Sequence, residues 1–272
     1  MKINQYDYVY TTLVTNGLEV YLADKKYRNK IIASEHASYY AYNFTYRKMK
    51  EWLYPRLNAI SVPTTMDTQI YKKLGYKVYY IPHMNTYSQI HRNQLNSKRI
   101  INVGRLTGDK QQLMLLDIWK DVYKNIEDKE WRLQIIGSGE EERRLKQKIS
   151  NDKISNVEII PHTKKIADYY KNAELFVFTS KMEGFGMVLL EAMSFGIPCI
   201  SFDCPSGPRD IIQNGKNGYL VPCYNIELYK QKVLEYIKSN RQKKQMMSGE
   251  AIEMISMWNN DKILQQWMGL FR

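Results

Sequence analysis

The chain is short of several things, and each shortage excludes something. It has 3 cysteines, Cys199, Cys204 and Cys223, among 272 residues. None forms a Cys-x-x-Cys pair, so neither a disulfide framework nor a zinc site is indicated, and a reducing compartment is expected. No run of about 18 apolar residues occurs, which excludes a membrane-spanning helix. The opening stretch Met1-Lys2-Ile3-Asn4-Gln5-Tyr6-Asp7 lacks the apolar core of a secretory leader, so the expected location is cytoplasmic. What the chain does have is 44% hydrophobic and 25% charged residues, enough to bury the core of one large domain or two modest ones.

Acidic charge is the other shortage. The formal net charge is +12, and it is uneven: residues 1–96 hold 13 Lys+Arg against 6 Asp+Glu, whereas residues 97–272 hold 27 against 22. Such a balance suits an anionic partner: nucleic acid, a phosphorylated substrate or an acidic membrane face. The 22 tyrosines come with no basic–aromatic recognition motif for RNA or DNA, so no nucleic-acid partner is predicted.

From residue 99 onward, short β-rich runs alternate with helical stretches. The runs are Arg99–Val103, Trp131–Ile136, Val157–Ile160, Leu175–Thr179, Pro198–Phe202 and Tyr219–Val221. This order predicts an α/β fold with a parallel sheet covered on both faces, its chemistry at the strand-to-helix turns. Residues 1–96 are less regular. Strands are predicted at Tyr8–Tyr10, Ile31–Ala33, Ala59–Val62 and Val78–Ile81, with a Tyr-, Lys- and Arg-rich helical stretch at Tyr39–Tyr54. No opening strand with a glycine-rich turn is present among them. The expected organisation is a partial α/β domain over 1–84, a linker over 85–98, a complete domain over 99–250 and a helical tail over 251–272 that packs back toward the first domain.

Two turns carry most of the chemical signal. After the run ending at Thr179 comes Ser180-Lys181-Met182-Glu183-Gly184-Phe185-Gly186, then an apolar helix from Met187. Glycines here allow close backbone approach, and the helix start offers unpaired N–H groups to an anion. Glu191, inside that helix, can accept hydrogen bonds from vicinal hydroxyls, as an acidic residue does for ribose in dinucleotide sites. The plainer reading is a surface Glu183 and a dipole-pairing Glu191. The second turn is Gly104-Arg105-Leu106-Thr107-Gly108-Asp109-Lys110. Arg105 can fork onto a diphosphate and Lys110 can meet it as a point charge; the plainer reading is two solvated cations.

Taken together, these segments resemble the retaining, nucleotide-sugar-dependent glycosyltransferases of GT-B fold usually called family 4. The resemblance rests on the Gly104–Lys110 turn and the Glu-x7-Glu spacing from Glu183 to Glu191. It continues through Ser206-Gly207-Pro208-Arg209-Asp210, Asn214–Pro222, Trp258 and the tail Ile263–Phe271. The family often has Glu where this chain has Asp210. The resemblance implies a GT-B fold: a complete C-terminal Rossmann-like domain with a parallel sheet, plus a partial N-terminal one. It implies that Arg105 and Lys110 hold the donor diphosphate and that Glu191 binds the ribose. Glu183, with the backbone of Gly184, Phe185 and Gly186, would hold the donor sugar, and Pro161-His162-Thr163 would contact the base. In Ser34-Glu35-His36 it places a histidine near that sugar, so Glu183 and His36 are the candidate catalytic groups. Ile81-Pro82-His83 resembles the end of the first domain.

The expected reaction is transfer of a sugar from a UDP- or GDP-type donor to a glycan or lipid-linked acceptor, with retention, in surface polysaccharide or glycolipid synthesis. The chain has no Asp-x-Asp pair, which many glycosyltransferases of another fold use to hold a metal, so neither metal nor further cofactor is expected. The basic first part suits peripheral contact with the inner face of a membrane. The short first domain leaves three readings: a fragment, a reduced but sufficient domain, or a split enzyme whose partner chain supplies the missing half. A non-catalytic nucleotide-sugar-binding subunit would share the same pocket. Two decoys complete the reading. Gly137-Ser138-Gly139-Glu140-Glu141-Glu142 mimics a phosphate loop, but three carboxylates predict a helix start with Ser138 as cap and Glu141 as its capping-box partner. His83, His91 and His162 have no metal spacing and are expected to be structural or surface residues.

Overall fold

A computed structural model describes residues 6–87 and 90–271. The leader reading on Met1–Gln5, linker residues 88–89 and the final residue of the tail lie outside them. The first unit comprises β1 (Val9–Thr11), α1 (Val14–Ala23), β2 (Ile31–Ser34), α2 (Phe44–Leu53), β3 (Ala59–Val62), α3 (Thr65–Lys73) and β4 (Val78–Tyr80). Its four strands lie side by side in chain order, all parallel. Right-handed crossovers between strands in that order put every connecting helix on one face. That face is a core in which Ile31, Ala33, Ile60 and Val62 meet Val14, Leu53 and Tyr71 from the helices.

The strand period of two turns Ile32 and Ala59 the other way. They are covered from the far end of the chain, by Ile263 and Leu270 of the last helix together with Trp258 and Trp267. Helix α1 was not legible in the sequence. Asn16 and Gly17 weaken its propensity, but Gly17 lets it close on the sheet: a Cβ there would stand 3.3 Å from Thr11 Oγ1 and 3.4 Å from Leu53.

The second unit comprises β5 (Arg99–Val103), α4 (Gln112–Lys124), β6 (Arg132–Ile136), α5 (Glu142–Asn151), β7 (Val157–Ile160), α6 (Ile166–Lys171), β8 (Leu175–Phe178), α7 (Met187–Ser194), β9 (Cys199–Phe202), α8 (Pro208–Ile211), β10 (Gly218–Val221) and α9 (Ile226–Lys238). Then come α10 (Arg241–Met257) and α11 (Asn260–Leu270). The sheet order is β10-β9-β8-β5-β6-β7, all parallel. Successive residues of each strand feed opposite cores. Ile100, Leu133, Val177 and Ile200 join Trp119 and Tyr229 on one side; Ile101, Ile136, Phe176 and Cys199 join Leu190 and Met193 on the other. The chain runs outward from β5 to β7, then returns beside β5 as β8. A crevice opens where the order reverses, beyond the carboxyl ends of β5 and β8.

One local expectation is corrected. Ser138 is not a helix cap. Helix α5 starts at Glu142 with no side-chain cap, and Ser138 Oγ instead accepts from the His162 N–H at 3.1 Å. The cause is packing of the 137–141 turn on the β5 loop, where Leu106 N–H meets the Ser138 carbonyl and Glu141 N–H meets the Leu106 carbonyl, both at 3.0 Å. The last stretch of the chain divides between the two units. Ala251, Met254 and Ile255 are buried in the second unit's core, so the part reaching the first sheet starts at Trp258, and Asn259 caps the helix that follows.

Candidate functional site

Two glycine-bearing turns face each other across the crevice. The β5 turn is held from three sides. A Cβ on Gly137 would stand 1.8 Å from the Gly104 carbonyl oxygen, so only glycine allows this approach. Gln112 Nε2 donates to the Arg105 carbonyl at 3.0 Å, and Thr179 Oγ1 to the Lys110 carbonyl at 3.0 Å. The β8 turn leads into α7 through Gly186, at φ +92°, which leaves the helix N-terminus without a side-chain cap. Such a helix start carries partial positive charge, and of its first-turn N–H groups that of Leu189 is taken by the Gly186 carbonyl at 2.8 Å.

Two cavities meet at Arg105, whose side chain is exposed between them. One, of about 410 Å³, has an apolar floor of Val103, Ile136 and Ile166 and a polar rim of Ser138, His162, Thr163 and Glu191. The Glu191 carboxylate is fixed by Tyr170 Oη at 2.9 Å and by Thr86 Oγ1 at 3.5 Å. Burial raises its pKa, and the two hydroxyl donors pull it back. The other cavity, of about 510 Å³, lies between the units and is lined by His36, Tyr40, Lys110, Lys181 and Glu183.

In the second cavity, which shares Arg105 with the first, Lys110 Nζ pairs with Glu183 Oε1 at 2.5 Å, the two side chains 18% and 11% exposed. Lys110 also lies over the Phe178 ring, 5.4 Å from its centroid. These two residues, read from the sequence as separate parts, are therefore partners here.

The first unit forms the opposite wall. A Cβ on Gly184 would stand 1.9 Å from the His36 carbonyl oxygen, so the end of β2 touches the β8 turn directly. Buried Ser206, after β9, donates to Asp67 at 2.5 Å and meets Ser38 Oγ at 3.0 Å. Asp210, the residue that departs from the family pattern, accepts from the Thr65 N–H at 2.8 Å and from its hydroxyl. It thus caps α3 across the seam, and burial raises its pKa.

Arg105, Lys110, Glu183, Gly184, Glu191, His162, Thr163 and His36 line one or both of the two cavities. Three named residues stand differently. Gly186 lines neither cavity and opens α7 at φ +92°. Pro161 is exposed and lines neither cavity, and the Phe185 side chain is buried, so only its backbone is available. Residues 84–254 match the profile of the family described as Glycosyl transferases group 1. The chain belongs to this family.

Among curated relatives of this group 1 glycosyltransferase is the amylovoran biosynthesis glycosyltransferase AmsD of Erwinia amylovora. It is 31% identical over 265 residues, covering 92% of this chain and 73% of AmsD. Solved structures are similar at lower identity. Anabaena HepE in complex with UDP and glucose aligns with TM-score 0.81 at 18% identity, over 97% of this chain and 77% of HepE. A variant of TarM from S. aureus, in complex with UDP and glycan ligands, aligns with TM-score 0.77 at 22% identity. That match covers 89% of this chain but only 51% of TarM, so this chain spans about half its length. The two parallel sheets are of the GT-B type, as expected.

Several residues of this glycosyltransferase's site were missed in the sequence. Lys181 and Asp109 line the cleft, and Asp67, Ser38 and Ser206 tie its walls together. His83, read as structural or surface, stands beside His36. Its position just beyond a strand end in the first sheet was the available signal.

Proposed function

We propose that the chain transfers a sugar from a nucleoside-diphosphate sugar of UDP or GDP type to a glycan or lipid-linked acceptor. In this reading it is a retaining, metal-independent family 4 enzyme of surface polysaccharide or glycolipid synthesis. The observation that carries the reading is the pair of cavities joined at Arg105. The apolar one suits a nucleoside, with Glu191 for the ribose and the His162-Thr163 turn for the base. The seam suits the diphosphate, and the cavity between the units suits the sugar and its acceptor.

Charge supports the same division. Departure of the nucleotide builds negative charge on the diphosphate and positive charge at the anomeric carbon. Arg105, Lys110 and the start of α7 supply preorganised positive charge to the first. The Lys110–Glu183 pair supports an exchange on binding: phosphate takes Lys110, and Glu183 turns to the sugar hydroxyls. His36 faces that sugar from the other wall. Calorimetric titration with UDP and GDP, with and without EDTA, tests the reading. Saturable binding unaffected by EDTA is the expected result, and no binding of either nucleotide would sink it.

Acceptor and partner belong to the same proposal. Helix α2 exposes Phe44 at 69% and Trp52 at 44%, with exposed Arg47 and Lys48 on the same helix and the Arg56 guanidinium 4.6 Å from the Trp52 ring centroid. Aromatic and basic side chains side by side suit the interface of an anionic bilayer. We therefore place an acceptor on a lipid carrier, at the inner face of the membrane.

The β1 edge has no strand partner among the described residues. Beside it α11 exposes Leu264 at 50% and Met268 at 52%, while Trp267 on the same helix packs against Tyr10 at 5.5 Å. An unpaired edge flanked by apolar surface suits pairing with a further strand, which a partner chain would supply in the split-enzyme reading.

A further inference from the structure

The two histidines of the first unit come from strands that are not neighbours. His36 follows β2 and His83 follows β4, with β3 between them. Their rings nevertheless stack, centroids 5.2 Å apart and planes within 6°. The two are held unequally. His83 meets the buried Phe185 ring edge-on at 5.3 Å, and its carbonyl accepts from Trp258 Nε1 at 2.9 Å. It is thus fixed by the second unit and by the tail. His36 is exposed at the cleft, with the His83 ring stacked on its own.

We infer that His83 is a positioning residue, the platform that sets the ring plane of His36 where the donor sugar is proposed to lie. This rests on the proposed transferase reading for its purpose, but not for its geometry. Charge is consistent with the arrangement, since two stacked imidazolium rings would repel. Burial, and then the charge of His36, push the His83 pKa down to about 4, leaving His36 as the ring that changes charge at higher pH. His36 is itself lowered by burial, with Glu35 pulling upward. The other charged groups on the cleft are Arg105, Asp109, Lys110, Lys181 and Glu183, of which Lys110 and Glu183 are paired with each other.

The chain has only 4 histidines, so each imidazole can be followed by proton–nitrogen NMR on the full chain, with no ligand needed. Three variants separate the possibilities. His83→Phe keeps a ring under His36 and should leave its titration nearly where it is. His83→Ala and His83→Gln remove the ring and admit water. In both, the His36 titration should move up toward the free-imidazole value of about 6.5, and the contacts between the rings should vanish. The Gln variant carries the test if the Ala variant does not fold.

In the same proteins UDP affinity should stay within about twofold. Turnover of the donor sugar should fall by about tenfold in Ala and Gln, less than the roughly hundredfold that a full 1 Å misplacement can cost. His83→Phe should restore most of it, with KM unchanged throughout. A His36 titration identical in wild type, Ala and Gln would overturn the inference. Absence of nucleotide binding would instead overturn the transferase reading, and the NMR result would stand apart from it.

Discussion

The two sheets use the same strand–helix alphabet and reach different ends. The second reverses its order between β5 and β8, and the reversal opens the crevice that holds the cavities. Helices cover both of its faces, so it is closed on its own. Among the described residues the first keeps its strands in chain order, without a reversal, and its own connecting helices pack on one face. Its other face is covered by α11 from the far end of the chain. One unit carries the crevice, and the other leans on it and walls the cleft.

The hardest way to break this asymmetry is to remove the borrowed cover. Ile263 and Leu270 are 5% and 7% exposed against Ile32 and Ala59. Each change to Ala should cost about 2–5 kcal/mol. Hydrogen exchange should show β2 and β3 losing protection while β5, β8 and β9 keep theirs. Equal loss in both sheets would mean that the two units unfold as one, and that the first does not depend specially on the tail.

Next in size are the partners at the seam. Lys110→Ala should weaken UDP or GDP by about 2–5 kcal/mol, the cost of truncating one side of a hydrogen-bonded charge pair. Glu183→Gln should do the reverse to binding. It frees Lys110 from its 2.5 Å partner, so nucleotide affinity should rise or hold while turnover falls by about 2.7–4 kcal/mol. Calorimetry on both variants checks the contrast. Parallel loss of affinity would show that Glu183 supports the phosphate site and not the sugar.

The seam also has a pH signature. His83 has a pKa of about 4 in the folded chain and about 6.5 when unfolded. Between those values the unfolded chain holds the extra proton, so stability rises with pH. This contribution is complete above 6.5 and is lost as pH falls toward 4. The full difference corresponds to roughly 3 kcal/mol, less what solvent screens at a half-buried site. Urea unfolding of wild type and His83→Phe at pH 7.5 and 4.5 should show a smaller acid loss in the variant.

The second unit was legible because each of its β-rich runs ends at a turn residue and starts a helix. Arg99–Val103 and Val157–Ile160 are strands with the bounds read from the sequence. The glycine turns marked the crevice for the same local reason. The first unit was legible only in part. Helix α1 contains Asn16 and Gly17 and is held by packing on Thr11 and Leu53, which no local signal reveals. Ser138 has the residue type of a cap but spends its hydroxyl on His162. The Lys110–Glu183 pair joins residues 73 positions apart, and the His36–His83 stack crosses an intervening strand. Such long-range contacts come from topology, so spacing along the chain does not encode them.

The smallest expected effect asks whether the units also differ in what they face outside. Residues 1–96 hold 13 Lys+Arg against 6 Asp+Glu, while the longer remainder holds 27 against 22. The exposed Phe44 and Trp52 belong to the first group, on the helix that carries Arg47 and Lys48. A basic side chain near an anionic surface contributes about 1 kcal/mol, and the attraction fades within a Debye length. Binding to vesicles containing phosphatidylserine should therefore be modest and should weaken with salt. It should be absent on neutral vesicles. Lys48→Glu should lower the affinity about fivefold or more through charge, and Trp52→Ala should lower it at all salt concentrations through lost apolar contact. Altering Lys164 or Lys216, exposed cations of the second unit, should change little. If those changes weaken binding as much as Lys48→Glu does, the membrane reads net charge alone, and the first unit has no special face.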